Sequence, residues 1–233
     1  MWSLSPAETE ALLLSLKVAF WSVAASLPAA IALAWVLSRL RFPGKSLLDA
    51  ITHLPLVLPP VVVGYFLLVI LGRRGPVGAF LDEHFGITFA FRWTGAALAC
   101  AVMGFPLLVR AIRQSLDAVD RGLEAAAATL GASPAWVFAT VTLPLVVPGI
   151  VTGMLLSFAR SLGEFGATIT FVSNIPGETQ TLPLAIYTFT QVPGGDAQAL
   201  RLCLLSILLS LAALMASELV LRRATLRATG RDA

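Results

Sequence analysis

Five long apolar runs constrain this chain more than any other feature of its sequence. None of them contains Asp, Glu, Lys or Arg. The runs are Val18–Ser38, Ala50–Gly72, Trp93–Val109, Val141–Ala159 and the shorter Leu202–Ser217. A helix needs roughly 20 apolar residues to cross the roughly 30 Å of hydrocarbon in a bilayer. We therefore predict an all-α, polytopic membrane protein with about five transmembrane helices.

Composition argues against a soluble domain. Of the 233 residues, 58% are hydrophobic and 12% are charged, whereas a soluble domain carries about a quarter charged residues. The net charge of +3 could suggest a nucleic-acid partner. The arginines, however, are distributed among the loops between the apolar runs instead of forming one basic face. We expect a lipid bilayer around the chain and no nucleic acid.

The basic residues predict the orientation of the spans. Ten of the 16 lie on one side of the membrane, after the first, third and fifth runs: Arg39, Arg41, Lys45, Arg110, Arg113, Arg121, Arg222, Arg223, Arg227 and Arg231. Loops rich in Lys and Arg stay in the cytoplasm. The N-terminus is therefore expected outside and the C-terminus inside.

The same pattern divides the chain into three parts. We expect a short extracytoplasmic N-terminus at residues 1–10, a transmembrane domain at 11–221 and a cytoplasmic tail at 222–233. Within the transmembrane domain, residues 110–142 form a cytoplasmic loop. The first residues, MWSLSPAETE, include acidic residues and no basic ones, which is not typical of a cleaved signal peptide.

The stretch from Leu123 to Pro148 predicts two short helices that meet at a sharp corner. Asp120 can cap the first helix, and the alanines that follow are strong helix formers with little bulk. Gly131 stands where a left-handed residue would end that helix. Ser133 can then cap the second helix, and Pro134 suits its first position. A helix of such small side chains lets another protein approach closely.

This stretch resembles the EAA loop of ABC importer permeases, which docks onto the ATPase. The resemblance implies a docking role for these residues: Glu124, Ala126, Ala127, Gly131, Ala132, Leu143 and Pro144. The family's Glu register is occupied by Ala125, with Glu124 one residue earlier. Because of that shift, we expect Glu124→Ala to impair transport less than Gly131→Leu. The alternative is a surface helical hairpin without a docking role.

Two further segments are candidates for the lining or the gate of a transport pathway. Pro59 and Pro60 interrupt the second run and should bend it. Arg160 and Glu164 are four residues apart and close enough to pair on a helix. The alternatives for this segment are a mutually neutralising ion pair and a turn that borders the pathway. The candidate residues are Pro59, Pro60, Arg160, Gly163, Glu164, Phe165 and Gly166.

Residues 167–198 are nearly uncharged but are broken by Pro176, Pro183 and Pro193. This pattern favours an outer-face or re-entrant gate region over a sixth span.

The sequence gives no sign of catalytic chemistry. It has no GxxxxGK[ST] nucleotide-binding motif, so any ATP hydrolysis is expected in a separate subunit. Cys100 and Cys203 lie within apolar runs, without a CxxC motif or a histidine partner, and are interpreted as packing residues. We expect no catalytic residues, no metal site and no cofactor.

Four segments carry a narrower resemblance: FPGKSLLD (42–49), HLPLVLPPVVVGY (53–65), ARSLGEFGATITFVSNIPGETQTLP (159–183) and VPGGDAQALRL (192–202). They are similar to molybdate ABC transporter permeases, in the molybdate/sulfate branch of type I importers. The resemblance implies a homodimer in the bacterial inner membrane, with cytoplasmic ATPase subunits and an extracytoplasmic molybdate-binding protein. It also implies import of molybdate, and of the near-isosteric tungstate, by alternating access.

Two alternatives remain at this stage. A sulfate/thiosulfate ABC permease is the nearer one, because it belongs to the same branch. A secondary transporter or channel is more distant, since it would be expected to show inverted repeats and ionisable residues in mid-span, which the sequence lacks.

Overall fold

Helices make up nearly all of the regular structure. The computed structural model describes residues 4–228, and the side chains of residues 4–220. No strand occurs among these residues. The helices are α1 (Pro6–Arg39), α2 (Lys45–Val57), α3 (Pro60–Leu71), α4 (Pro76–Phe85), α5 (Trp93–Asp117), α6 (Arg121–Thr129), α7 (Pro134–Val137), a π-helical turn (Phe138–Thr142), α8 (Leu143–Leu162), α9 (Gly166–Val172), α10 (Leu182–Gln191) and α11 (Asp196–Ala228).

The described residues contain four helical segments long and apolar enough to cross a membrane. They are α1, α5, the continuous segment from α7 through α8, and α11. Together α2 and α3 make a fifth candidate span, bent by 111° at Leu58 and Pro59. The prediction of an all-α membrane protein with about five spans is confirmed, and so is the bend at the paired prolines.

Helix α5 forms the centre of the bundle. Within the most apolar 18 residues of α5, 72% of the residues are buried, against 17% in the corresponding stretch of α11. It packs between α1 and α8, and small residues set the close approach to α8. A Cβ atom on Gly104 would overlap the hydroxyl of Ser157, and one on Gly149 would overlap the side chain of Ser115. The close packing of α5 against α8 therefore depends on small side chains.

Two of the spans continue as helix beyond the uncharged runs. Helix α5 continues past Val109 to Asp117, so Arg110 and Arg113 lie on this helix. The second helix of the corner runs without interruption from Pro134 into the fourth span. Hydropathy marks only the uncharged part of a helix, and here helices continue past it into polar ends.

The terminal segments are partly helical. Ser5 and Glu8 form a capping box, and α1 begins at Pro6, so part of the predicted N-terminal segment 1–10 is helical. Helix α11 includes residues 222–228 of the predicted tail. Residues 1–3 and 229–233 lie outside the described residues.

The segment after α8 contains two short helices. Helix α9 has 7 residues and α10 has 10, so neither is long enough to cross a bilayer alone. Helix α9 packs on α3, and α10 packs on α11. A sixth span is therefore not supported by the described residues.

Polar contacts join the first half of α1 to neighbouring helices. Glu8 is fully buried, and its carboxylate accepts hydrogen bonds from Arg201 Nε at 3.0 Å and Arg201 Nη2 at 3.1 Å. Further along α1, the ammonium of Lys17 lies 3.7 Å from the ring centroid of Trp93. These contacts fix α1 against α11 and α5.

Candidate functional site: a helical corner and a buried turn

The corner after α6 has the geometry that its sequence predicts. Asp120 Oδ1 accepts a hydrogen bond from the N–H of Gly122 at 2.8 Å and caps α6. Gly131 has φ +86°, a left-handed conformation that strains any residue with a Cβ atom. The next N–H, of Ala132, donates to the carbonyl of Ala127 at 3.2 Å, which completes a Schellman motif. The predicted helix, corner and helix are confirmed.

The second helix starts immediately after the corner. Ser133 Oγ accepts a hydrogen bond from the N–H of Trp136 at 3.3 Å, and Pro134 occupies the first helical position. The predicted cap and helix start are confirmed.

The corner presents an apolar surface outside the bundle. No residue of α6 is buried. The side chains of Leu130 and Trp136 are 89% and 61% exposed. An open surface groove of about 560 Å³ is lined by Ala127, Leu130, Gly131, Ala132, Ser133 and Trp136. Large apolar groups around a small-residue helix suit a protein partner better than water.

Glu124 faces inward from α6, towards two partners. Its Oε1 accepts a hydrogen bond from Arg39 Nη2 at 2.7 Å and another from Thr142 Oγ1 at 2.6 Å. The Arg39 and Glu124 side chains are 13% and 23% exposed. In the sequence, Glu124 stands out only because it is one residue away from the family's Glu register. The sequence does not predict its pairing with Arg39, because Arg39 lies 85 residues away.

Leu143 and Pro144 do not join the corner. They occupy the first turn of α8, beyond the π-helical turn. Leu143 packs on a buried cluster that includes Leu37 and Ile112. Its place in the motif is therefore explained by anchoring α8 in the bundle.

The proline bend and the turn after α8 lie against each other. A Cβ atom on Gly166 would lie 2.8 Å from Cβ of Pro60, and one on Gly64 would lie 2.5 Å from the carbonyl oxygen of Ala167. Only glycine permits this approach of α3 to α9. The structure thus brings together two of the segments that the sequence offered separately as pathway candidates.

Glu164 lies at the centre of this turn and is 1% exposed. Its Oε1 accepts a hydrogen bond from the N–H of Ala167 at 2.8 Å, which caps α9. Its Oε2 lies 2.7 Å from Arg160 Nη1, a close ionic contact without the alignment of a hydrogen bond. The predicted pairing of Arg160 with Glu164 is confirmed.

The other two candidates of this turn differ from each other. The ring of Phe165 lies 5.4 Å from that of Tyr187 on α10, so it links the turn to the next helix. Gly163 ends α8, and a Cβ atom there would meet no atom within 4 Å. Pro59 and Pro60 form the break itself, Pro59 with φ −55° and ψ 131° and Pro60 as the first residue of α3.

Hydroxyl groups join α1 to α8 close to the turn. The Oγ atoms of Ser22 and Ser161 are 3.0 Å apart and buried. Ser161 also donates to the carbonyl of Ser157 at 2.9 Å. Sequence reasoning missed this contact, although serines four residues apart in an apolar helix are a usable signal. Among the described residues, no three His, Cys, Asp or Glu side chains converge, and Cys100 and Cys203 are free thiols in the helix packing.

Comparison with known proteins identifies the family. Residues 26–226 match the model of the family described as binding-protein-dependent transport system inner membrane component. The chain belongs to this family. The resemblance and the fold class predicted from the sequence are confirmed.

Individual relatives of this permease family refine the placement. Molybdenum transport system permease protein ModB of Escherichia coli (strain K12) is 62% identical over 94% of this chain and 96% of its own length. Sulfate transport system permease protein CysT of Salmonella typhimurium is more distant, at 39% identity over 76% of this chain and 65% of its own length.

A solved structure shares the fold. The bacterial alginate ABC transporter in complex with an alginate pentasaccharide-bound periplasmic protein matches with a TM-score of 0.72. The match has 18% sequence identity and covers 95% of this chain and 80% of that one. At this identity the likeness concerns the fold alone.

Proposed function

We propose that this chain is the membrane-spanning permease of an ATP-driven importer that carries molybdate, and also tungstate, into the cytoplasm. The observation that carries the proposal is the 62% identity to a molybdenum transport permease over nearly the full length of both chains. Tungstate is included because it is a tetrahedral dianion of nearly the same size. ATP hydrolysis belongs to a separate subunit, since the chain carries no nucleotide-binding motif.

The proposed assembly contains two copies of this chain, two cytoplasmic ATPase subunits and an extracytoplasmic molybdate-binding protein. The exposed corner of α6 and α7 supplies a suitable surface for the ATPase, because it combines a small-residue helix with the exposed side chains of Leu130 and Trp136. The likeness in fold to a transporter solved with its periplasmic binding protein is consistent with a binding-protein partner.

The continuity of the helix that begins at the corner supports alternating access as the mechanism. From Pro134 to Leu162 the chain is helical for 29 residues, or about 43 Å at 1.5 Å per residue. A displacement of the corner, when the ATPase subunits close, is therefore carried along this helix to the turn at Glu164. There it acts on the contact between Gly166 and Pro60.

Selection of the oxyanion is assigned mainly to the binding protein. The charge of Arg160 is offset by Glu164 at 2.7 Å, so this arginine is not a free cation in the described structure. A strong cationic site in the pathway would retain a dianion instead of releasing it. The permease then contributes a gated path with weak binding.

The proposed orientation places residues 110–133 in the cytoplasm, and residues 74–92 and 174–196 outside. Labelling of introduced cysteines with an impermeant thiol reagent tests it in intact cells. Glu83→Cys should label from outside, whereas Gly122→Cys should label only after the cells are opened. Labelling of position 122 from outside would reverse the assignment.

Uptake into proteoliposomes tests the substrate. The assembled transporter is supplied with its binding protein and with molybdate, tungstate or sulfate. We expect ATP-dependent uptake of the first two, and loss of high-affinity molybdate uptake in cells that lack this chain. High external molybdate should restore molybdenum-enzyme activity in those cells.

The second candidate is a sulfate/thiosulfate permease, favoured by the 39% identity to a sulfate permease. It predicts the opposite result in the same deletion strain. The cells would require a reduced sulfur source such as cysteine, while their molybdenum enzymes kept full activity.

A further inference from the structure

Three separate parts of the chain meet at one carboxylate oxygen. Glu124 Oε1, on α6, accepts from Arg39 Nη2 in the last turn of α1 and from Thr142 Oγ1 at the end of the π-helical turn. The two distances are 2.7 and 2.6 Å. Hydrogen bonds to a charged group are about twice as strong as those between neutral groups. Glu124 is thus the meeting point of the corner, the first span and the fourth span.

Apolar packing does not hold α6 in this position. No residue of α6 is buried, and the main contacts of this helix are with α7 and the π-helical turn that follow it in the chain. A helix without a buried face can rotate or slide unless polar contacts fix it. The side chain of Glu124 supplies such a contact with α1.

The π-helical turn gives Thr142 its place in the cluster. Thr142 is 3% exposed, and its hydroxyl points to Glu124 from the point where the turn passes into α8. Isolated π-helical turns inside longer helices are frequent at functional sites. Here the turn lies between the exposed corner and the membrane-spanning part of the same helix.

We propose that Glu124 is a positioning residue that transmits the displacement of α6 to both α1 and α8. The inference rests on the proposed function, since it describes how that importer would couple ATPase closure to the pathway. When the ATPase moves the corner, the shared carboxylate obliges α1 and α8 to move with it. Without the carboxylate, the ATPase still docks on the exposed face, but its movement reaches the spans incompletely.

The test uses the complete transporter in proteoliposomes, with its ATPase subunits and binding protein. Three quantities are measured: the ATPase that co-purifies, the ATP hydrolysed, and the molybdate transported. For Glu124→Gln we expect about a tenfold fall in molybdate transported per ATP, with unchanged co-purification of the ATPase. Glu83→Gln, a carboxylate on α4 far from the cluster in the chain, is the matched control and should behave as wild type.

Two variants of Thr142 sharpen the test without altering any charge. Thr142→Ser keeps the hydroxyl and should keep the wild-type ratio. Thr142→Val has nearly the same shape but lacks the donor, so it should lower the ratio by a smaller factor than Glu124→Gln does. The double variant Arg39→Gln with Glu124→Gln should lower it no further than Glu124→Gln alone, because the groups act as one unit.

Two outcomes overturn the inference. A normal ratio in Glu124→Gln means that the cluster transmits nothing. A reduced amount of bound ATPase, with a normal ratio in the complexes that remain, means that Glu124 serves docking alone. If the wild-type transporter itself imports no molybdate under these conditions but hydrolyses ATP with another oxyanion, the substrate proposal fails instead, and the ratio is then measured with that anion.

Discussion

Among the glutamates that are paired with an arginine, Glu164 and Glu124 form pairs that differ in almost every other respect. Glu164 is 1% exposed, and its partner Arg160 is four residues away on the same stretch of chain. The Glu124 side chain is 23% exposed, and its partner Arg39 is 85 residues away, on another helix. The first pair stabilises a local turn. The second joins distant elements, so its loss should affect movement more than stability.

The largest expected effect is at the pair of Arg160 with Glu164. Glu164→Ala removes the cap of α9 and leaves Arg160 without its partner, and loss of one member of a buried pair destabilises by about 3 to 5 kcal/mol. We expect a clearly lower melting temperature of the purified protein in detergent. Glu124→Ala, at the more exposed pair, should lower stability by about 1 kcal/mol or less.

A double variant separates charge from packing at the same place. Arg160→Met with Glu164→Gln removes both charges but keeps an acceptor for the N–H of Ala167. This variant should regain most of the lost stability. Equal melting temperatures for Glu164→Ala and Glu124→Ala would remove the distinction between the two pairs.

The next largest effect concerns the packing around Glu164. Gly64→Ala would place a Cβ atom 2.5 Å from the carbonyl oxygen of Ala167 and push α3 away from α9. Overpacking of this kind destabilises by about 1 to 3 kcal/mol. Gly163→Ala, in the same turn but with open space around it, should melt as wild type does. A wild-type melting temperature for Gly64→Ala would mean that the two helices are not held at this distance.

A matched pair of glycines then compares the two regions directly. Neither Gly131 nor Gly163 has an atom within 4 Å of an added Cβ, but only Gly131 has a positive φ. Gly131→Leu is therefore strained by about 1 to 2 kcal/mol, and Gly163→Leu is not. We expect Gly131→Leu to insert into the membrane and to lose coupled ATPase activity and uptake. Normal uptake in that variant would argue against a role for the corner in docking.

The smallest effect is expected at the hydroxyl contact between Ser22 and Ser161. Hydrogen bonds between membrane helices contribute about 0.6 kcal/mol on average. Ser22→Ala should therefore lower the melting temperature only slightly, and Ser22→Ala with Ser161→Ala no more than that. A large drop for either variant would show that this contact is as important for stability as the pair of Arg160 with Glu164.

Whether the sequence predicts a contact depends on how far apart in the chain the interacting groups lie. Caps, the left-handed glycine and the pairing of Arg160 with Glu164 involve neighbours within a few residues, so the sequence predicts them. Hydropathy likewise predicts the spans, although it misses the polar ends of α5 and of the helix that starts at Pro134. The contacts of Arg39 with Glu124, of Pro60 with Gly166 and of Ser22 with Ser161 depend on how the helices pack. No local pattern in a single sequence specifies them.

The π-helical turn at Phe138–Thr142 affects how the helix from Pro134 to Leu162 tolerates the deletion of a residue. A turn closed from residue i to i+5 accommodates one residue more than an α-helical turn. Deleting one residue, such as Ala139, can therefore be absorbed as a regular α-helical turn without rotating α8 relative to α7. Elsewhere in the same helix, a one-residue deletion would rotate everything beyond it by about 100°. The turn is thus the place where the helix between the corner and the membrane can change length without changing which side of α8 meets the bundle.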